Sequence, residues 1–85
     1  MADDNSRRKR ALYRAHHRGT KEMDLVLGGF ADAEIARLSD SDMDRFEVLL
    51  ALPDPDIDLM VKGAQAPPAL ADLMMRIRRH CGLEG

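Results

Sequence analysis

The sequence predicts an all-α fold, a compact single-domain bundle of five short helices, and three observations carry that expectation. Apolar residues recur at helical spacing in successive short windows, and no window shows strand-like alternation. Trp is absent and only Tyr13, Phe30 and Phe46 are aromatic, so the core has to be a packing of Leu, Met, Ile and Ala. Gly, Pro and Ser/Asp signals punctuate the chain about once per helix. With 85 residues there is material for one domain, and a domain of this size buries roughly 60 to 65% of its unfolded surface.

The first helix is expected from Ser6, a plausible N-cap, to His17, with Ala11, Leu12 and Ala15 on one side and arginines elsewhere. Residues 1–5 read as a disordered N-terminus, 6–82 as the five-helix domain and 83–85 as a tail. Gly19 interrupts the helical pattern, and a second helix begins near Thr20. It carries Met23, Val26, Leu27 and Phe30 at the spacing of a buried stripe. Gly28 and Gly29 weaken it by up to about 1 kcal/mol each relative to Ala; they either allow close helix contact or mark its end. Ile35 and Leu38 anchor a helical extension.

Ser39-Asp40-Ser41-Asp42 offers alternative N-caps for the third helix, Ser39 with Asp42 resembling a capping box, and its inward face is Met43, Phe46, Leu49 and Leu50. That helix stops before Pro53, because the residue preceding proline is pushed out of the αR region. Asp54 followed by Pro55 at N1 starts the fourth, with Ile57, Met60 and Val61 inward and Gly63 closing it in a left-handed conformation. Ala66-Pro67-Pro68 reads as extended linker. The fifth helix then runs from about Ala69 to Cys81 on a stripe of Leu70, Leu73, Met74, Ile77 and Cys81, with Arg76, Arg78, Arg79 and His80 favouring its C-terminal dipole and Gly82 stopping it.

Net charge is −2, but its distribution is uneven. Arg7, Arg8, Lys9, Arg10, Arg14 and Arg18 face only Asp3 and Asp4 in the first 18 residues, whereas nine acidic residues from Asp32 to Asp58 face Arg37 and Arg45. Such a dipolar surface suits steering toward a charged partner, although solvated helix faces often carry charge runs without a role. Cys81 is the only cysteine, which excludes an internal disulfide and a Cys-rich zinc pattern and fits a reducing compartment. No run approaches the roughly 20 apolar residues of a membrane span, and the start lacks the apolar region of a secretory signal. A bacterial cytoplasmic setting is expected.

Arg18-Gly19-Thr20-Lys21-Glu22 is the informative segment, since it joins two helices through a glycine. A guanidinium ends the first helix and a carboxylate stands in the first turn of the second. The bland reading is that each charge opposes its local helix dipole, worth roughly 0.3 to 1 kcal/mol, while the glycine supplies the turn. His16 and His17 are adjacent, so on a helix they point about 100° apart and cannot easily share a metal. Cys81 lies in an apolar stripe, where a thiol acts as a small hydrophobe, and Met23, Met43, Met60 and Met74 read as core filler. No Ser-His-Asp arrangement or phosphate-binding glycine loop is present. The chain is therefore expected not to be an enzyme.

Arg18-Gly19-x-x-Glu22-x-Asp24, after a basic helix and before Phe30, resembles the R-G-x-x-E signature of the succinate dehydrogenase flavinylation factor family, the SdhE-type FAD assembly factors. Leu38-Ser39-Asp40, Phe46-x-x-Leu49-Leu50 and Asp54-Pro55-Asp56-Ile57 extend the resemblance in order and spacing over residues 7 to 81. Asp58 and Met60 depart from it, standing where members usually carry an aromatic pair. The resemblance implies a five-helix assembly factor, or chaperone, that binds the flavoprotein subunit of succinate dehydrogenase, with fumarate reductase as a further client, and promotes covalent FAD attachment. The FAD would be the client's, with no cofactor held stably by this chain and no metal. Carried over by position, Arg18, Gly19, Glu22 and Asp24 would form the contact surface with His17 and Arg14 beside them, and a Cβ at Gly19 would keep the two backbones apart.

The competing class is a small nucleic-acid-binding or antitoxin-like regulatory protein, suggested by Arg7-Arg8-Lys9-Arg10. Against it, no helix combines a basic face with base-reading polar residues, and the acidic middle of the chain would repel phosphate. The chain is expected to act without nucleic acid and without membrane insertion, and to be a monomer when free.

Overall fold

The computed structural model describes residues 4–82. Among the described residues five α-helices follow one another: α1 Asp4–His16, α2 Lys21–Glu34, α3 Asp40–Leu50, α4 Asp54–Val61 and α5 Pro68–His80, with a 3-10 turn, Ile35–Arg37, prolonging α2. No strand occurs among the described residues. α1 lies along α2 and also meets α3, and α5 closes the bundle against α2, α3 and α4. Asp4 and Asn5, expected to precede the ordered domain, form the first turn of α1. The expectations for residues 1–3 and 83–85 lie outside the described residues.

The helix ends follow local chemistry. Thr20 has extended backbone, and its Oγ1 accepts the Met23 N–H at 3.2 Å, which starts α2. Ser39 does the same for α3, accepting the Asp42 N–H at 3.1 Å. The reciprocal half of a capping box is replaced, since the Asp42 carboxylate accepts from Arg45 at 3.2 Å and from Arg76 at 2.8 Å. α4 differs from its expected start by one residue: Pro53 is the N-cap and its carbonyl accepts the Asp56 and Ile57 N–H groups, so Asp54 takes N1 and Pro55 follows it. The Asp54 carboxylate is thereby released from capping its own helix. At the other end of α4, Gly63 has φ +116°, and the Ala64 and Gly63 N–H groups donate to the carbonyls of Leu59 and Met60. That pair of bonds is a Schellman ending, which a Cβ would strain. Pro68 belongs to α5 and not to the linker, because proline at the first helical position forfeits a bond the helix could not make.

The core is the apolar set the periodicity selects. Phe30, Phe46, Met23, Leu27, Met43, Leu49, Ile57, Leu73 and Ile77 are fully buried, each contributing roughly 1.5 to 3 kcal/mol by leaving water. Phe30 and Phe46 meet with ring centroids 5.9 Å apart in a tilted pair. Met60 and Met74 are buried as well, whereas Val26, Leu12 and Cys81 are only half-buried at the margin. On α2 the buried line is completed by Ala31 instead of Val26.

α2 runs unbroken through Gly28 and Gly29, so these glycines do not mark its end. A Cβ at Gly28 would lie 2.5 Å from the His16 ring, so the missing side chain is what lets the imidazole settle against α2 and reach Asp32, Nε2 to Oδ1 2.8 Å. The basic cluster of α1 is partly neutralised at the α3 edge. Arg7 donates to both Glu47 oxygens at 3.1 and 2.9 Å and pairs with Asp44, and Arg8 pairs with Asp4 and with the Ile35 carbonyl.

Candidate partner-binding site at the first helix junction

The loop between α1 and α2 brings together the end of α3 and the start of α4. Arg18 turns inward. Its Nε donates to Asp54 Oδ1 at 2.8 Å, Nη1 to the Leu50 carbonyl at 2.7 Å and Nη2 to the Leu52 carbonyl at 3.0 Å. Its side chain is 11% exposed and that of Asp54 18%. Leu50 is the last residue of α3, where carbonyls lack helical partners and a cation opposes the dipole, and Leu52 lies just past its C-cap, Ala51. Asp54, in the first turn of α4, is favoured there for the opposite reason. One guanidinium thus ties three elements together.

The backbone of the loop is tied into the same network. Asp54 Oδ2 accepts the Gly19 N–H at 2.7 Å, and Asp24 Oδ1 accepts the Arg18 N–H at 2.5 Å. Positive φ among the described residues is confined to Gly63 and Gly82, so Gly19 is not a left-handed hinge. Its role is steric: a Cβ would lie 2.8 Å from Asp54 Oδ2 and displace the carboxylate that Arg18 needs. The close approach requiring glycine is therefore to this chain's own Asp54.

The six residues expected to meet a partner are divided by this geometry. Arg18, anticipated as an outward contact, is corrected to an internal clamp, because desolvating a guanidinium is tolerable only where carbonyls and a carboxylate satisfy it. Asp24 is half-buried and engaged with the loop backbone. Gly19, Glu22, His17 and Arg14 are exposed. His17 stacks on Tyr13, centroids 3.9 Å apart and planes 16° apart, with its Nδ1 2.7 Å from the Tyr13 carbonyl oxygen. On α2, Leu25 is 68% exposed, one turn beyond Lys21 and Glu22.

Beside the clamp an open groove of about 410 Å³ is lined by Thr20, Glu22, Met23, Asp54, Pro55 and Asp58. Lys62 bonds Asp58 at 2.9 Å and holds its carboxyl below the usual aspartate value. Asp58, standing where the resemblance places an aromatic residue, gives this groove a charged wall. Cys81 is half-buried, and burial pushes its thiol up, away from the thiolate a nucleophile needs.

Sequence reasoning missed Asp54 as the partner of Arg18. The Asp54-Pro55 pair was visible, but it pointed to a local cap. Tyr13 and Leu25 were also missed as surface groups, and their positions off the apolar stripes were the available signal.

Fold and junction define a small all-helical domain organised around an arginine–aspartate clamp, with a charged rim standing outside it. The chain belongs to the family described as the flavinator of succinate dehydrogenase, which it matches over residues 9–81. It is 37% identical over 76 residues to a Dictyostelium discoideum protein named succinate dehydrogenase assembly factor 2, mitochondrial, covering 87% of this chain and 54% of the relative. It is 35% identical over 79 residues to the FAD assembly factor SdhE of Acetobacter pasteurianus, covering 89% of this chain and 72% of that one. A Legionella pneumophila protein of the same name is 36% identical over 78 residues, covering 92% of this chain and 98% of the relative. The chain thus spans about half of the mitochondrial relative and nearly all of the Legionella one.

Proposed function

We propose that this protein binds the flavoprotein subunit of succinate dehydrogenase and promotes covalent attachment of FAD to it, with fumarate reductase as a further client. It acts as an assembly factor and not as an enzyme. The reacting groups, a client histidine and the 8α-methyl of the flavin, belong to the client, and the factor supplies a rigid surface favouring the arrangement in which they meet. On this reading the FAD stays with the client, the free factor is a monomer, and the setting is a bacterial cytoplasm, which a single cysteine fits. No described helix is long and apolar enough to cross a membrane.

The observation that carries the reading is the division at the junction. Arg18 and Asp54 fix the loop from inside, so Glu22 and the neighbouring Arg14 and His17 stand outside on a braced scaffold. A braced surface loses little entropy on binding. Family membership and the names of the relatives point the same way.

The test is a pull-down with the tagged protein from a bacterial extract, followed by a flavin assay on the eluate. A flavoprotein partner carrying covalent FAD is the expected result. Recovery of an RNA or a toxin in its place would overturn the proposal.

A further inference from the structure

The outer face of α1 is unlike the rest of the molecule. Helical spacing sets Lys9, Arg10, Tyr13, Arg14 and His17 on one side, opposite the buried Ala11 and Ala15. Each is exposed, Tyr13 to 64%, and the Tyr13–His17 stack stands among the three cations. Arg7 and Arg8, next along the helix, are turned to Asp44, Glu47, Asp4 and the Ile35 carbonyl. Arg10 also lies close enough to Glu47 to act on its carboxyl, and with Lys9 and Arg14 the face still keeps a positive excess.

We infer that this face docks an acidic surface patch of the client flavoprotein, its three cations steering the approach and the Tyr13–His17 stack supplying the desolvated anchor. The inference rests on the function proposed above and names the chemistry of the surface that function requires. Charge complementarity selects an acidic partner. The size of the patch selects a protein surface over a nucleic acid: Lys9 to His17 spans about 12 Å of helix, enough for a few carboxylates. A longer polyanion would run onto Asp44 and Glu47 of α3, which lie beside Arg7. An exposed aromatic among cations is also a common centre of binding energy in protein interfaces.

The test measures association of the purified flavoprotein subunit with the full chain over a salt series. The double variant Arg10→Glu with Arg14→Glu should associate about tenfold more slowly at low salt and lose most of the salt dependence, with helix content retained. Tyr13→Ala should accelerate dissociation severalfold and leave the association rate alone. If the wild type binds the subunit and the double variant matches its rate and salt dependence, the inference falls while the proposed function stands. If the wild type does not bind the subunit, both fall. Tight, steeply salt-dependent binding of a single-stranded oligonucleotide on this face in place of the subunit would likewise overturn the inference.

Discussion

Arg7 and Arg18 are the same residue in two settings, and the contrast explains most of the molecule. Arg7 lies at the α1–α3 edge, where its partners Asp44 and Glu47 are 74% and 37% exposed and water competes for the groups. Arg18 sits under a loop, with Asp54 and the Leu50 and Leu52 carbonyls as its acceptors. Ion pairs at the surface contribute about 0 to 1 kcal/mol, whereas removing one partner of a fully buried pair costs about 3 to 5 kcal/mol because the other is left uncompensated; Arg18 and Asp54, half-buried with side chains 11% and 18% exposed, lie between these limits. The same chemistry is decoration in one region and framework in the other.

The largest effect should come from Arg18→Ala, which strands Asp54 and the Leu50 and Leu52 carbonyls. A loss of about 2 to 4 kcal/mol is expected, seen as a Tm drop of roughly 10 to 25 °C in a domain of this size. Next is Asp54→Asn, which keeps one acceptor but gives up the charge and should cost about 1 to 2 kcal/mol by urea unfolding. Gly19→Ala should follow at about 1 kcal/mol, since the added methyl pushes Asp54 Oδ2 from its 2.7 Å bond with the Gly19 N–H. Arg7→Ala should stay within about 1 kcal/mol of wild type, and a cost as large as that of Arg18→Ala would erase the distinction between the two regions.

Acid titration sharpens the comparison further. The Glu47 carboxyl is held below its ordinary value of 4.5, mainly by its hydrogen bonds from Arg7. A depressed folded pKa means the unfolded chain takes up the proton first as the pH falls. Stability from this pair is therefore present above the unfolded value and is lost as the pH drops through the folded one. In Arg7→Ala the acid-induced fall in Tm should be shallower over that window; an unchanged profile would remove Glu47 from the account.

Much of the fold was legible because burial is written into helical periodicity. Met43, Phe46, Leu49 and Leu50 on α3, and Leu70, Leu73, Met74 and Ile77 on α5, repeat on one face and are buried on that face. The start of α2 near Thr20 and a cap for α3 within the Ser39-Asp40-Ser41-Asp42 run were legible from local signals as well. The clamp was not. Arg18 finds its acceptors 32 to 36 positions away, and no local pattern says that the end of α3 will arrive beside the α1–α2 loop. An arginine at a helix end reads the same in sequence whether it points to solvent or folds under a neighbour, so Arg18 was placed outward with Glu22. Gly28 was ambiguous for a related reason, since only the packed pair of helices shows the His16 ring occupying the missing Cβ's place.

The central claim is that Arg18 holds the junction and Glu22 addresses the partner. Flavinylation of the client by Glu22→Ala, followed by in-gel flavin fluorescence in a strain lacking its own factor, with folded protein matched to wild type, tests it most directly. Strongly reduced covalent flavin with an unchanged Tm is the predicted result, and flavinylation at the wild-type rate would contradict it.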